Sequence, residues 1–198
     1  MKHLITLVLL IVISACSPQT SESDKLHFLG SDVSEEHIGG PFELPAHTGQ
    51  TVKLSDFQGK VVVLVFGYAH CPDICPTNLL DYSRAIESLG NQSQDVQLLF
   101  ISVDPERDTP KVLSDYTPIF NEHFIGLSAQ NETQLSPILK AYKIMAQKHY
   151  TEEGNYSVDH SAGSYLIDRK GFVRVYEPHA VPFKQLAQDI ETLLKSGQ

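Results

Sequence analysis

The feature that most constrains the fold is a continuous apolar run, Val61–Phe66, which leads into two cysteines, Cys71 and Cys75. A strand that is apolar on both faces belongs at the centre of a sheet covered by helices. Apolar residues at helical spacing follow the cysteines, which predicts a helix starting near Pro76 or Thr77. The chain therefore carries a C-x3-C pair from a buried strand into the start of a helix, where proteins place thiol chemistry or a soft metal.

The rest of the chain alternates between strand and helix patterns. Strands or hairpins are predicted over 41–54, 96–103, 124–128 and 164–176, and helices over 108–119, 135–142 and 183–193. This order predicts one α/β domain with a thioredoxin-like sandwich, in which helices flank a central mixed sheet. The segment over 41–54 is predicted to form a β-hairpin at the N-terminal side of the domain.

The first residues predict a targeting segment. The apolar run Leu4–Ile13 is too short to span a bilayer, and Ser14-Ala15-Cys16 follows it. This pattern resembles a bacterial lipobox, in which the cysteine is lipidated; an ordinary secretory signal with a coincidental cysteine is the alternative. We expect a domain anchored through Cys16 on the periplasmic side of a bacterial membrane. The expected segments are a lipoprotein signal peptide over 1–15, a flexible polar tether over 16–38 and the folded domain over 39–198.

The charge balance disfavours two classes of partner. The chain carries 24 acidic and 15 basic side chains, a formal net charge of −9, and shows no basic stripe. Nucleic acids and anionic membrane surfaces attract clustered lysine and arginine, so we expect neither to bind directly. A chain of 198 residues can bury a substantial core, and we expect a monomer.

The cysteine count favours a reactive pair. If Cys16 is lipidated, Cys71 and Cys75 are the thiols left from a total of 3 cysteines. A disulfide between them would close a very short loop and stabilise the fold little, so the pair is predicted to be reactive rather than structural. Residues i and i+4 point to the same side of a helix, and the positive end of the helix dipole favours thiolates. Both sulfurs can then converge on one metal ion.

Two thiolates under-coordinate most metals, so a third ligand is expected. His160 is the strongest candidate, because it lies just before the predicted strand from Ser164 to Asp168. Thioredoxins place a cis-proline in the loop before that strand, whereas this chain has no proline from Glu152 to Arg169. Two thiolates and an imidazole suit Cu(I), or Cu(II) with an added ligand or water. Structural zinc would normally need a fourth protein ligand, for which His70 is a weaker candidate.

Three blocks of sequence together resemble the Sco/SenC family. They are FGYAHCPDICPT over 66–77, SVDPERDTP over 102–110 and YSVDHS over 156–161, in the family's order and at suitable separations. The resemblance covers roughly residues 40 to 195. It implies a membrane-anchored, thioredoxin-fold copper-binding protein that helps to assemble the CuA centre of cytochrome c oxidase.

Carried over residue by residue, the resemblance implies that Cys71, Cys75 and His160 are copper ligands. It also implies that Asp104 lies near the site and could orient or tune it; capping of the next helix is the alternative. Asp159 could contact His160 from outside the ligand shell, or serve as a turn carboxylate at a strand end. The implied partner is the oxidase subunit with the CuA site, or another copper acceptor.

Two other functions stay open from the sequence. In a thiol–disulfide oxidoreductase acting on extracytoplasmic protein thiols, Cys71 would attack and Cys75 would resolve the mixed disulfide. This activity could also accompany copper delivery, by reducing the cysteines of a CuA subunit. A peroxidase would need a threonine and an arginine beside its cysteine, for which Thr77 and Arg107 are candidates. The C-x3-C spacing and the histidine in place of a proline favour the metal.

Overall fold

The structure is a computed structural model that describes residues 26–196, so Cys16 and the predicted signal peptide lie outside the described residues. Its strands are β1 Ser31–Asp32, β2 Glu43–Pro45, β3 Thr51–Lys53, β4 Val61–Gly67, β5 Val96–Ser102, β6 Ile125–Leu127, β7 Ala146–Tyr150, β8 Tyr156–His160, β9 Ser164–Ile167 and β10 Val173–Glu177. Its α-helices are α1 Ile74–Ser88, α2 Pro110–Tyr116, α3 Glu132–Ala141 and α4 Phe183–Ser196. None of these helices within residues 26–196 is long and apolar enough to cross a bilayer.

The central sheet is mixed, as predicted. Its strands lie in the order β1-β10-β9-β4-β5-β6. β4, β5 and β6 are parallel, whereas β9 pairs antiparallel with β4, and β10 and β1 continue that side of the sheet in antiparallel pairs. Helices flank this sheet, which confirms the predicted α/β sandwich.

β4 lies inside this sheet, and all of its residues are buried. Because side chains alternate along a strand, β4 contributes to two cores. Even-numbered residues such as Leu64 pack with side chains of β2 and α3. Odd-numbered residues such as Val63 pack with side chains of α1 and α4. Burial on both faces explains why the sequence of this strand is apolar throughout.

Two hairpins lie outside the central sheet. β2 and β3 pair antiparallel with each other and confirm the predicted N-terminal hairpin. The second hairpin, β7 and β8, was not predicted. It changes the setting of His160, which is the last residue of a strand rather than part of a loop.

Residues 26–38 belong to the folded domain, which corrects the predicted tether over 16–38. β1 pairs with β10 at the edge of the central sheet. Val33 is buried, and its N–H donates to the Arg174 carbonyl at 2.9 Å. Leu26 and Phe28 pack against the core beneath α1 and α4. A strand as short as β1 has no local sequence signal, because its pairing depends on a partner near the other end of the chain.

Candidate metal centre

The cysteine pair lies where β4 passes into α1. α1 begins at Ile74, earlier than the predicted start at Pro76 or Thr77. Pro76 is tolerated there because an N–H in the first turn has no acceptor within the helix. Cys75 is therefore inside the first turn of α1, and Cys71 lies just before it.

The two thiols occupy different environments. Both are free cysteines; Cys75 is 2% exposed, and Cys71 is half-buried. The backbone N–H of Cys75 donates to Cys71 Sγ at 3.5 Å. Cys71 therefore helps to satisfy an N–H at the start of α1 that has no partner within the helix.

The two thiols also differ in acidity. Partial burial opposes ionisation of Cys71, but backbone N–H groups at the start of α1, chiefly those of Asp73 and Cys75, outweigh it and lower the pKa of this thiol. Burial raises the pKa of the Cys75 thiol well above its usual range, and the neighbouring Cys71 thiolate adds to this effect. Cys71 is therefore the thiol that ionises first.

We expect iodoacetamide to modify Cys71 before Cys75 in the reduced, metal-free protein. The thiolate is the reactive form of cysteine, and Cys71 has both the lower pKa and the greater exposure. Peptide mapping after brief alkylation at pH 7 should show labelling at Cys71 roughly tenfold faster or more. In the urea-unfolded protein the two rates should become similar, and faster labelling of Cys75 in the folded protein would contradict the assignment.

His160 reaches the cysteines from the end of β8. Its Nε2 lies 3.5 Å from Cys75 Sγ. Its Nδ1 lies 2.9 Å from the Ser161 carbonyl, which can only accept, so Nδ1 carries the proton and the lone pair of Nε2 points to the sulfur. Burial lowers the pKa of His160, against the opposing effects of Ser161 and Asp159. The imidazole is therefore neutral near pH 7, which is the form that binds metals.

An aromatic residue and a cavity complete the surroundings of the pair. The ring of Tyr68 meets the His160 ring edge-on, with centroids 5.8 Å apart. A cavity of about 290 Å³ is lined by Tyr68, Cys71, Ile74, Val158 and His160, among others. The cysteine–histidine cluster is therefore open to a ligand or partner on one side.

The three predicted ligands are neighbours, but they do not yet surround one point. Cys75 contacts both Cys71 and His160. Even so, no group of three or more His, Cys, Asp or Glu side chains within residues 26–196 is arranged to hold a metal ion as it stands. Metal binding would therefore require a rearrangement of these side chains.

Asp104 lies outside the cysteine–histidine cluster. Its carboxylate is fully buried and accepts hydrogen bonds from the Tyr156 hydroxyl at 2.8 Å and from the Arg107 side chain. The alternative of helix capping is wrong for Asp104, because the N-cap of α2 is Thr109, whose side chain accepts from the N–H of Val112. The side-chain hydrogen bonds of Asp104 are therefore with Arg107 and Tyr156 and not with Cys71, Cys75 or His160.

Asp159 and His70 have partners outside the cluster. Asp159 Oδ2 lies 3.1 Å from His149 Nε2, on the opposite face of β8 from His160, because successive side chains of a strand alternate. The hydrogen bond of His160 Nδ1 is with the Ser161 carbonyl, and Asp159 acts on His160 through its charge. His70 Nδ1 lies 3.4 Å from the buried Asp108, which directs it away from a ligand role.

Asp108 is a site residue that the sequence analysis missed. Its Oδ2 accepts from the Ala69 N–H at 2.9 Å and from the Ser102 hydroxyl at 2.6 Å. It thereby fixes the turn before the cysteines to the end of β5. The block over 102–110 contained this residue, but nothing local distinguished its carboxylate from that of Asp104.

The residues suggested for a peroxidase are engaged elsewhere. The Thr77 hydroxyl donates to the Asp73 carbonyl at 2.9 Å. Arg107 is bound to Asp104 and to the Tyr156 carbonyl. The geometry therefore does not favour peroxide chemistry at Cys71 or Cys75.

The chain is similar to known proteins in both sequence and fold. Protein SenC of Rhodobacter capsulatus is 38% identical over 154 residues, which cover 77% of this chain and 69% of that protein. The SCO2-like protein RP587 of Rickettsia prowazekii is 38% identical over 136 residues, which cover 68% of this chain. The same residues cover 66% of that protein, just under two thirds of its length. Bradyrhizobium japonicum ScoI, solved with copper bound, superposes with a TM-score of 0.73 at 37% identity, covering 79% of this chain and 99% of that one. The SCO1/SenC family model matches residues 31–195, and the chain belongs to that family.

Proposed function

We propose that this protein binds copper through Cys71, Cys75 and His160 and delivers it to the CuA site of cytochrome c oxidase. The proposal depends above all on the 3.5 Å between Cys75 Sγ and His160 Nε2, which come from residues 85 apart in the chain. Two sulfurs and an imidazole nitrogen form a soft, low-coordinate donor set that suits Cu(I). The related ScoI has been solved with copper bound, and the Sco family is a family of cytochrome c oxidase assembly proteins.

The properties of the three side chains support both capture and release of copper. The lowered pKa of Cys71 makes it the more readily ionised of the two thiols, and His160 supplies a neutral imidazole whose Nε2 can bind a metal. Cys75 is buried, so its thiol must be deprotonated when it binds the metal, and the positive charge of the metal favours that loss of the proton. Because the cavity leaves one side of the cluster open, a soft ligand of an acceptor can replace these ligands one at a time.

Metal analysis and absorption spectroscopy on the purified protein test this proposal. We expect one Cu(I) per chain in the wild type and loss of tight binding in Cys71→Ser and Cys75→Ser. His160→Ala should weaken copper binding by roughly 100-fold, because an imidazole ligand is lost while both sulfurs stay. His149→Ala is the matched control, since it removes a histidine of the same hairpin that pairs with Asp159 instead.

Two results would contradict the proposal. A wild-type protein that retained no copper would exclude the function, and an unchanged copper affinity in His160→Ala would exclude that residue as a ligand. Circular dichroism of each variant should match the wild type, so that a lost site is distinguished from a lost fold.

A second function is favoured by the asymmetry of the thiols. A half-buried thiol of lowered pKa beside a fully buried thiol of raised pKa is the arrangement of an attacking and a resolving cysteine. The reduced pair could then reduce extracytoplasmic protein disulfides, including an oxidised cysteine pair of a CuA subunit, and would itself become the Cys71–Cys75 disulfide. A redox titration against glutathione distinguishes copper delivery from oxidoreductase activity. A strongly reducing Cys71–Cys75 couple in a protein without copper affinity would favour the oxidoreductase function over copper delivery.

We further propose that Cys16 carries a lipid and anchors the domain on the periplasmic side of a bacterial membrane. The support is the lipobox pattern that ends at Cys16. A lipid anchor would keep a copper carrier near a membrane-bound acceptor without a spanning helix.

A further inference from the structure

The hairpin that carries His160 is held to the rest of the domain by few apolar contacts. β7 and β8 pair with each other and not with the central sheet. Within these two strands, Val158 alone is buried. Apolar burial therefore contributes little to the position of the hairpin, and other contacts must fix its orientation over Cys75.

Those contacts come from the loop between β5 and α2. The hydroxyl of Tyr156, the first residue of β8, donates to Asp104 Oδ1 at 2.8 Å. Arg107 Nη1 donates to the Tyr156 carbonyl at 2.8 Å, and its guanidinium carbon lies 3.7 Å from the centre of the Tyr156 ring. Asp104 and Arg107 also bind each other. Tyr156 is thus held by both members of one ion pair.

Lys148 of β7 makes a weaker connection to the same loop. Its Nζ lies 2.5 Å from Glu106 Oε2 and 4.7 Å from the centre of the Tyr156 ring. The Glu106 side chain is 68% exposed, so solvent screens this ion pair. The Asp104 side chain is fully buried, and its hydrogen bond with Tyr156 is the stronger attachment.

Two routes connect Tyr156 with the position of the imidazole. Tyr156 and His160 lie on the same face of β8, and every residue between them pairs with β7, so the strand moves as a unit. The second route passes through side chains. The guanidinium carbon of Arg107 lies 5.7 Å from the centre of the Tyr68 ring, whose edge contacts the His160 ring.

We propose that Tyr156 is a positioning residue for His160, because its hydrogen bond to Asp104 holds β8 where the imidazole meets Cys75. The inference rests on the proposed copper function, in which His160 is a ligand. It assigns to the buried Asp104 the role of an acceptor for the hairpin rather than that of a contact with the metal ligands.

The variant Tyr156→Phe tests the proposal, because it keeps the ring over Arg107 and removes the hydroxyl. We expect amide hydrogen exchange along β8 to rise about tenfold in the copper-free protein, since a hydrogen bond to a buried carboxylate is lost. Loaded with Cu(II), the variant should retain thiolate charge-transfer absorption and show weakened nitrogen hyperfine coupling from His160 in its paramagnetic resonance spectrum.

Tyr150→Phe is the matched control. Tyr150 lies on the same hairpin, its ring centre is 5.3 Å from that of Tyr156, and it is 68% exposed. In the described part of the chain its hydroxyl has no hydrogen-bond partner, so its loss should leave both measurements unchanged. Wild-type exchange in β8 together with wild-type nitrogen coupling in Tyr156→Phe would overturn the proposal, whatever the melting temperature. The exchange experiment needs no copper, so a protein that failed to bind copper would refute the proposed function separately.

Discussion

The free energy of unfolding should fall by up to about 1.4 kcal/mol per pH unit as the pH rises from about 5 to about 8. This contribution comes from Glu177, and the variant Glu177→Gln should remove it. Glu177 lies at the end of β10 and is fully buried, and its carboxyl group lies beside the buried side chain of Asp189. Burial, together with the nearby Asp189, raises the pKa of Glu177 to about 8 from its ordinary value of 4.5.

The sign follows from proton binding. In the folded protein Glu177 keeps its proton up to a pH of about 8, whereas in the unfolded chain it loses the proton above about 4.5. Unfolding between these values releases a proton, so rising pH favours the unfolded state. The stabilisation is complete below pH 4.5 and is lost as the pH passes through 8, and over the whole window it is on the order of 5 kcal/mol.

Urea denaturation at pH 5, 6.5 and 8 measures this effect. Other groups titrate in the same window, so the quantity of interest is the difference in slope between wild type and Glu177→Gln. Glu153→Gln is the matched control, because Glu153 is exposed in the turn between β7 and β8. It should keep the wild-type slope. Equal slopes for Glu177→Gln and wild type would show that the buried carboxyl does not retain its proton.

The second large effect is expected at Gly67, the last residue of β4. A Cβ at this position would lie 2.8 Å from Cys75 Sγ and 2.8 Å from Cε2 of the buried Phe100. Both atoms belong to the core, so Gly67→Ala should destabilise the domain by about 1–3 kcal/mol. Displacement of Cys75 from His160 should also lower copper affinity.

Urea denaturation and Cu(I) competition on the same preparations check both parts of this expectation. Gly40→Ala is the matched control, because the nearest atom to a Cβ there, in Ala141, is 3.8 Å away. Its stability should stay within about 0.5 kcal/mol of the wild type. If Gly67→Ala matched Gly40→Ala in both assays, close packing of the β4 end against Cys75 would be excluded.

The parts of the structure that could be predicted are those with a strong local pattern. β4 was recognisable because burial on both faces requires an apolar run. The cysteine pair lies, as predicted, where this strand passes into the start of a helix. His160 was a candidate because thioredoxins have a proline in the loop before the corresponding strand, whereas this chain has none there. That reasoning depends on a comparison of folds and not on a local sequence pattern.

The parts that could not be predicted depend on partners distant in the chain. β7 and β8 are mostly exposed, so their sequences show no clear apolar alternation. Asp189 is buried because it accepts hydrogen bonds from the N–H groups of Leu29 and Gly30, which lie near the other end of the domain. The predicted start of α1 near Pro76 or Thr77 is too late, because a proline is equally acceptable at other positions of a first turn.

The docking of the N-terminal segment onto the sheet limits how far the domain can travel from its anchor. Leu26 and Phe28 already pack against the core, and Asp189 holds the next two amides. If Cys16 carries a lipid, the stretch from Cys16 to Leu26 can extend to at most about 35 Å. The point at which the domain is attached, Leu26, would then stay within that distance of the bilayer surface, so the reach of the copper site would be this length plus its own distance from Leu26.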